Sequence, residues 1–243
     1  MTAPTLVLLH GVGLDHHMWE PVVERLPDTL RVLAPDLPGH GTKPPVADGA
    51  TLADLAGAVA RDIPAGSHVL GFSLGALIAQ HLAVHRSDLV ASLISVSSVC
   101  RRTPVERDAV LARLAAAESD FGASVEASIH RWYDGTGVDA ERIVRTRNTL
   151  LANDRRSFVN CYRVFATGDA DVAPHLGDVV APSLAVTGEL DPGSTPEMTH
   201  RLAAAIPDCK AVVVPHARHM LPVEYPGELA ELVSSFVERL TRV

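Results

Sequence analysis

The chain has 243 residues, 47% hydrophobic and 21% charged, which fits one large globular domain with a sizeable core and excludes a disordered polymer. Its net charge of −8, unrelieved by any basic run, argues against a nucleic-acid partner. No apolar run reaches membrane-spanning length, the start Met1-Thr2-Ala3-Pro4 has no secretion-signal pattern, and Cys100, Cys161 and Cys209 read as free thiols of a reducing compartment, so a cytoplasmic protein without membrane contact is expected.

Thr5 to His10 is a short, nearly all-apolar run, as expected of a parallel strand covered on both faces. Gly11-Val12-Gly13 breaks it, and Met18, Val22 and Leu26 then mark one face of a helix from Met18 to Leu26. Arg31 to Ala34 reads as a second strand, ended by the turn-rich Pro35-Asp36-Leu37-Pro38-Gly39-His40-Gly41. Thr51 to Ile63 reads as a helix with Thr51 as N-cap and Asp54 completing a capping box. Ser67 to Leu70 is the third strand and Val90 to Val96 the fourth.

Alternation then stops. Residues 100–167 show helical stretches and no convincing strand. Phe121, Val125, Ile129 and Trp132 share one helical face, and Phe158, Tyr162 and Phe165 lie on another helix. Six of the ten aromatic residues fall in this segment, which points to a helical cap whose underside walls an apolar pocket. Alternation resumes with the strand Ser183 to Thr187, the helix Pro196 to Ala205, the strand Ala211 to Val214 and a helix from Glu228 to Leu240. The pattern predicts a doubly wound, mostly parallel α/β sheet, with residues 1–99 and 168–243 as the core and 100–167 as the cap. In such sheets the ligand lies beyond the carboxyl ends of the strands.

Gly71-Phe72-Ser73-Leu74-Gly75 stands between the third strand and a helical run, the setting of a nucleophile elbow. A serine hydroxyl is a poor nucleophile at neutral pH. It needs a base, a group that orients the base, and donors for the developing oxyanion. The first-strand loop and the elbow offer the Val12 and Leu74 amides as those donors, with Gly13 as the neighbouring possibility. The strand Ser183 to Thr187 runs into Gly188-Glu189-Leu190-Asp191-Pro192, where Asp191 is the expected acid and Glu189 its rival. After the fourth strand, Ser95-Val96-Ser97-Ser98 contains no carboxylate. Pro215-His216-Ala217-Arg218-His219 supplies His219 as the expected base, with His216 as the alternative. The order Ser73, Asp191, His219 is serine, acid, histidine, unlike either protease order. A metal site is not expected, because His81 and His85 have no intervening glutamate or third ligand and His16 and His17 are adjacent. A dinucleotide site is not expected, since the first strand lacks Gly-x-Gly-x-x-Gly.

Taken together, the chain closely resembles the α/β-hydrolase superfamily. The likeness is carried by Leu-Leu-His-Gly-Val-Gly at 8–13, Trp19-Glu20-Pro21, Ala-Pro-Asp-Leu-Pro-Gly-His-Gly at 34–41, the elbow at 71–75, Val-Thr-Gly-Glu-Leu-Asp-Pro at 186–192, and His219. Within the superfamily it looks most like the 3-oxoadipate enol-lactonase and carboxylesterase group. That finer likeness rests on His-Gly-Val-Gly-Leu-Asp followed by Met18-Trp19, on Arg131-Trp132-Tyr133, and on Cys161-Tyr162-Arg163 before Asp169-Ala170-Asp171-Val172. Such proteins usually carry a β-hairpin before the His-Gly strand, and this hairpin is missing from the pattern. Arg31 to Ala34 should then be a sheet edge, with either a sheet of about six strands or an incomplete chain start.

The resemblance implies a cofactor-free serine hydrolase cleaving a small carboxylic ester or lactone through an acyl-enzyme. The elbow serine excludes haloalkane dehalogenation, which uses a carboxylate there. Carbon–carbon hydrolysis of dienoic diketo acids, a cofactor-independent haloperoxidase and a non-turnover small-molecule receptor remain alternatives on the same scaffold. The enol-lactonase likeness also implies a substrate carboxylate, which the protein's overall charge would repel, so a local cation is needed. Among Arg131, Arg142, Arg145, Arg147, Arg155, Arg156 and Arg163 the choice is Arg131, beside Trp132, with Tyr162 as a further pocket residue.

Overall fold

The apolar runs become the strands of a single sheet. The computed structural model describes residues 3–241. Strands β1 (Thr5–Leu9), β2 (Arg31–Leu33), β3 (Ser67–Phe72), β4 (Val90–Val96), β5 (Ser183–Gly188) and β6 (Cys209–Val214) pair in the order β2-β1-β3-β4-β5-β6. Every pairing is parallel. β3 and β5 are buried at each residue, as unbroken apolar strands between two helical layers should be. β2 stands at one edge with Arg31 exposed, the place its sequence predicts.

Side chains alternate across a strand, so β1 feeds two cores. Val7 and Leu9 pack into one with Leu77 and Ile78. Leu6 and Leu8 pack into the other with Trp19 and Val233.

The helix expected over Met18–Leu26 is shorter. A 3-10 turn at His16–Trp19 precedes α1 (Glu20–Val23), and Arg25 and Leu26 donate three residues back, to Val22 and Val23. Pro27 follows, and the residue before a proline is pushed out of helical conformation. α2 (Leu52–Val59) starts on the Thr51–Asp54 capping box. Its expected last turn, to Ile63, tightens into bonds from Arg61 and Asp62 to Ala58 and Val59 ahead of Pro64. α3 (Leu74–His85) follows the elbow and is buried along most of its length.

Between β4 and β5 lie α4 (Pro104–Ser119), α5 (Phe121–Tyr133), α6 (Ala140–Leu151) and α7 (Arg155–Val172). The expected cap boundary between residues 167 and 168 falls inside α7. That helix runs on past Gly168, which packs against Leu52 and Leu77 of the core helices, where an added Cβ would sit at ordinary contact distance of 3.4 and 3.6 Å. After β5 come α8 (Pro196–Ala205), the single turn α9 (Leu221–Glu224) and α10 (Pro226–Thr241). Among the described residues, no helix is long and apolar enough to cross a membrane.

Candidate active site

The elbow forms because β3 and α3 approach each other more closely than any side chain allows. A Cβ on Gly71 would lie 2.1 Å from the Gly75 carbonyl oxygen, and one on Gly75 would lie 2.2 Å from the Leu9 carbonyl oxygen. Ser73, between them, is forced to φ 53° and ψ −111°, a region that costs a non-glycine residue about 1–3 kcal/mol. Its own N–H donates to Val96 O (3.0 Å), the Gly75 N–H to His10 O (3.1 Å), and the Ala76 and Leu77 N–H groups to Ser73 O. The first amides of a helix have no acceptor within the helix. Here the Leu74 amide is left unpaired among the described residues, as is the Val12 amide of the β1 loop.

His10 builds that loop. It is fully buried, Nδ1–H donates to Gly11 O at 2.8 Å and Nε2 accepts the Leu37 N–H at 2.9 Å. Both ring nitrogens are satisfied only in the neutral form. Burial, with the neighbouring His40, pushes its pKa down to about 3. His40, its ring 5.1 Å away and edge-on, is lowered by burial to about 4. Asp36 ties the loops together, accepting from the His16 backbone and ring and from the Thr42 N–H and hydroxyl. Burial alone would raise its pKa; the bonds from Thr42 and His16 outweigh it and hold the carboxyl below the usual range. His10 and His40 stand within the motifs at 8–13 and 34–41, but those motifs do not by themselves show that the two rings meet.

Asp191 and His219 meet at the ends of β5 and β6. Asp191 Oδ2 lies 2.8 Å from His219 Nδ1, and its Oδ1 accepts the Gly193 and Ser194 N–H groups at 2.8 and 2.9 Å. A carboxylate so engaged is an acceptor, so Nδ1 carries the hydrogen and Nε2 keeps its lone pair. The loop under His219 is held by the Ser97 hydroxyl, which donates to His219 O at 3.1 Å, and by Glu224, which accepts the Arg218 N–H at 3.0 Å. The rival residues pair with each other instead. Glu189 accepts the His216 N–H at 2.9 Å, and both are exposed.

Ser73, Asp191, His219 and Val12 line one cavity, together with Arg131, Trp132 and Tyr162. The space open to the centre of a water-sized sphere is about 40 Å³, so the cap closes tightly over the elbow. Trp132 and Phe72 flank the imidazole at ring-centroid distances of 5.7 and 5.1 Å. The predicted apolar face of α5 is rotated slightly. Val125, Ile129 and Tyr133 are its buried residues, which turns Trp132 and Arg131 to the cavity. Arg113 of α4 also lines it and was absent from the cap arginines weighed above. It flanks the buried Val110–Leu114–Ala117 face, a place that the sequence pattern does not tell apart from any other polar flank of that helix. Of the others, Arg145, Arg147, Arg156 and Arg163 pair with Glu141, Glu126, Asp48 and Glu118. Arg155 donates to the Glu118 and Ser119 carbonyls, and Arg142 lines separate surface grooves. Among the described residues, no three His, Cys, Asp or Glu side chains are grouped to hold a metal ion.

Known proteins resemble this chain over nearly its whole length. The sequence is 30% identical over 237 residues to the (E)-2-((N-methylformamido)methylene)succinate hydrolase of Acinetobacter baylyi, covering 96% of this chain and 90% of that protein. It is 28% identical over 242 residues to the pimeloyl-(acyl-carrier protein) methyl ester esterase of Yersinia pseudotuberculosis, covering 96% and 93%. The crystal structure of the enol-lactonase from Burkholderia xenovorans matches with a TM-score of 0.84 at 25% identity, over 98% of this chain and 92% of that one. The model of the Alpha/beta hydrolase family matches residues 6–232, and with the parallel sheet, the elbow and the hydrolases among its relatives the chain belongs to that family.

Proposed function

We propose that the protein is a cofactor-free serine hydrolase that cleaves a small carboxylic ester or lactone through an acyl-enzyme. The observation that carries this reading is the 2.8 Å contact between Asp191 and His219 at a cavity that Ser73 also lines. Ser73 attacks the carbonyl while His219 Nε2 takes its proton and passes it to the leaving oxygen. Asp191 keeps the imidazole in the required tautomer and faces the imidazolium as it forms. The Val12 and Leu74 amides receive the oxyanion, each such donor being worth about 10²–10³ in rate. Water activated by His219 then releases the acid.

The relatives support this chemistry: one is described as a methyl ester esterase, another as an enol-lactonase. The small cavity favours a compact substrate over a long acyl chain. The test is labelling by a fluorophosphonate probe alongside turnover of short 4-nitrophenyl esters. Wild type should label and turn over repeatedly, and Ser73→Ala should lose both. Labelling that persists on the Ala variant overturns the elbow assignment, and a single burst without turnover makes the protein a receptor.

A further inference from the structure

Asn153, in the short link between α6 and α7 of the cap, reaches across to the core. Its side-chain amide nitrogen donates to three carbonyl oxygens, those of Gly13 at 2.8 Å, Thr149 at 2.9 Å and Leu150 at 3.0 Å. The last two belong to the final turn of α6, whose carbonyls have no partner within the helix, and capping explains those two bonds. The Gly13 carbonyl is not part of that helix. It stands 140 residues away in sequence, in the β1 loop, next to Val12 at the cavity wall. The cap also packs directly on this glycine. Gly13 has φ 76°, and an added Cβ would lie 2.5 Å from Phe158 and 2.6 Å from Leu150.

Gly11, Val12, Gly13 and Leu14 form a turn closed by the Leu14 N–H, which donates to the Gly11 carbonyl at 3.2 Å. A trans peptide unit is planar, with its C=O and N–H on opposite sides, so a bond at one end aims the group at the other. The Gly13–Leu14 peptide is held at both ends, by Asn153 on its C=O and by Gly11 on its N–H. The Gly11–Val12 peptide is held by its C=O, which accepts from Leu14 and, at 2.8 Å, from His10 Nδ1. Its N–H, the Val12 amide, therefore points the opposite way and stays free for an oxyanion.

We propose that Asn153 is a positioning residue of the oxyanion hole: by fixing the Gly13–Leu14 peptide it aims the Val12 amide, so the hole is complete only when the cap is seated. The inference rests on the serine-hydrolase reading above. A carboxamide suits this place because it has two hydrogens to share among the carbonyls, whereas a carboxylate there would set further acceptors against them. The Leu74 amide opens α3 and owes nothing to this contact, so loss of Asn153 should impair one donor of the two. Removing an oxyanion donor outright costs about 10²–10³ in rate, and misaiming one costs less.

The experiment compares Asn153→Ala and Asn153→Asp with Asn160→Ala, which removes a different tie from α7 to the core, the bonds to the Val46 carbonyl and Asp48 at 3.0 Å. With 4-nitrophenyl butanoate, Asn153→Ala should lower kcat by about 10- to 100-fold and change KM by less than about threefold. Asn153→Asp should lose at least as much, and Asn160→Ala should keep kcat within about threefold of wild type. Butyl trifluoromethyl ketone reads the oxyanion directly: Ser73 Oγ adds to its carbonyl carbon, His219 takes the serine proton, and the carbonyl oxygen keeps the electron pair. Its inhibition constant should rise in step with the loss of kcat/KM in the Asn153 variants and not in Asn160→Ala. Hydrogen exchange of the Leu14 amide, which needs no turnover, should quicken by at least about tenfold in Asn153→Ala and stay at the wild-type rate in Asn160→Ala. An unchanged kcat in both Asn153 variants, a loss shared equally by Asn160→Ala, or an unchanged Leu14 exchange overturns the proposal. If wild type neither hydrolyses an ester nor binds the ketone, the hydrolase reading fails by itself. Quicker Leu14 exchange in Asn153→Ala then still upholds the hold on the loop, and an unchanged rate overturns it.

Discussion

The indole of Trp132, on the cap, stacks on the imidazole of His219, on the core, with ring centroids 5.7 Å apart and planes 26° from parallel. The cap therefore does more than enclose the cavity. It presents an aromatic face to the ring expected to become charged during turnover, and keeps water from that side. Aromatic faces attract cations, and ring pairs are worth about 0.5–1.5 kcal/mol beyond buried area.

Trp132→Ala should lower kcat/KM for short esters by about 3- to 30-fold, from the lost ring contact and the water admitted beside it. Fluorophosphonate labelling should slow in the same proportion. Steady-state kinetics on the purified variant checks this, and a rate equal to wild type means that the indole is only packing.

His219→Ala should reduce kcat by about 10³-fold or more, whereas His216→Ala should stay within about tenfold of wild type. Asp191→Asn should likewise be far more damaging than Glu189→Gln, because only the carboxylate facing Nδ1 sets the tautomer. The exposed Glu189–His216 contact makes this a comparison of two acid–histidine pairs, one on the cavity and one on the surface. A reversed ranking moves the base to His216.

Much of this was legible because it is written in local chemistry. Gly71, Ser73 and Gly75 announce the elbow, since only that residue order fits the close approach of β3 and α3. Asp191 and His219 follow from their places after two apolar strands. Choosing them over Glu189 and His216 was harder, because a difference of two or three residues in a loop decides which side chain faces inward. Arg113 was not legible. Its helix has an ordinary polar surface pattern, and only the packing of α4 beside α5 turns that one arginine toward the cavity. His10 was hidden for a related reason: its partner Leu37 lies 27 residues away, and no local pattern joins them.

Gly71→Ala should destabilise the fold by more than about 2 kcal/mol, because the new methyl meets backbone rather than a side chain that can move. Gly57, exposed within α2 with nothing within 4 Å of an added Cβ, is the control. Gly57→Ala should stabilise by about 0.5–1 kcal/mol through helix propensity and a less flexible unfolded chain. Urea denaturation of both variants measures the pair. Equal effects of the two substitutions contradict the close approach at the elbow.

Stability should fall as pH drops below neutrality, and the loop histidines set the window. His10 is pushed down to about 3 and His40 to about 4 in the fold, chiefly by burial, while in the unfolded chain each titrates near about 6.5. Between these values the unfolded chain binds protons that the fold refuses, so the stabilisation is fully present above the unfolded value and is lost on acidification. Each histidine contributes a slope of up to about 1.4 kcal/mol per pH unit in that window. Asp36, held below the usual carboxylate range, adds its own loss only at lower pH. Urea titrations from pH 7 to pH 4.5 should therefore show stability declining by the equivalent of about two protons taken up on unfolding at His10 and His40, with His68 and His81, also lowered by burial, adding in the same direction. His10→Asn should be less stable at pH 7, because Leu37 loses its acceptor, and should show a slope shallower by about one proton. A wild-type stability that is flat or rises on acidification shows that these histidines are not buried in the neutral form.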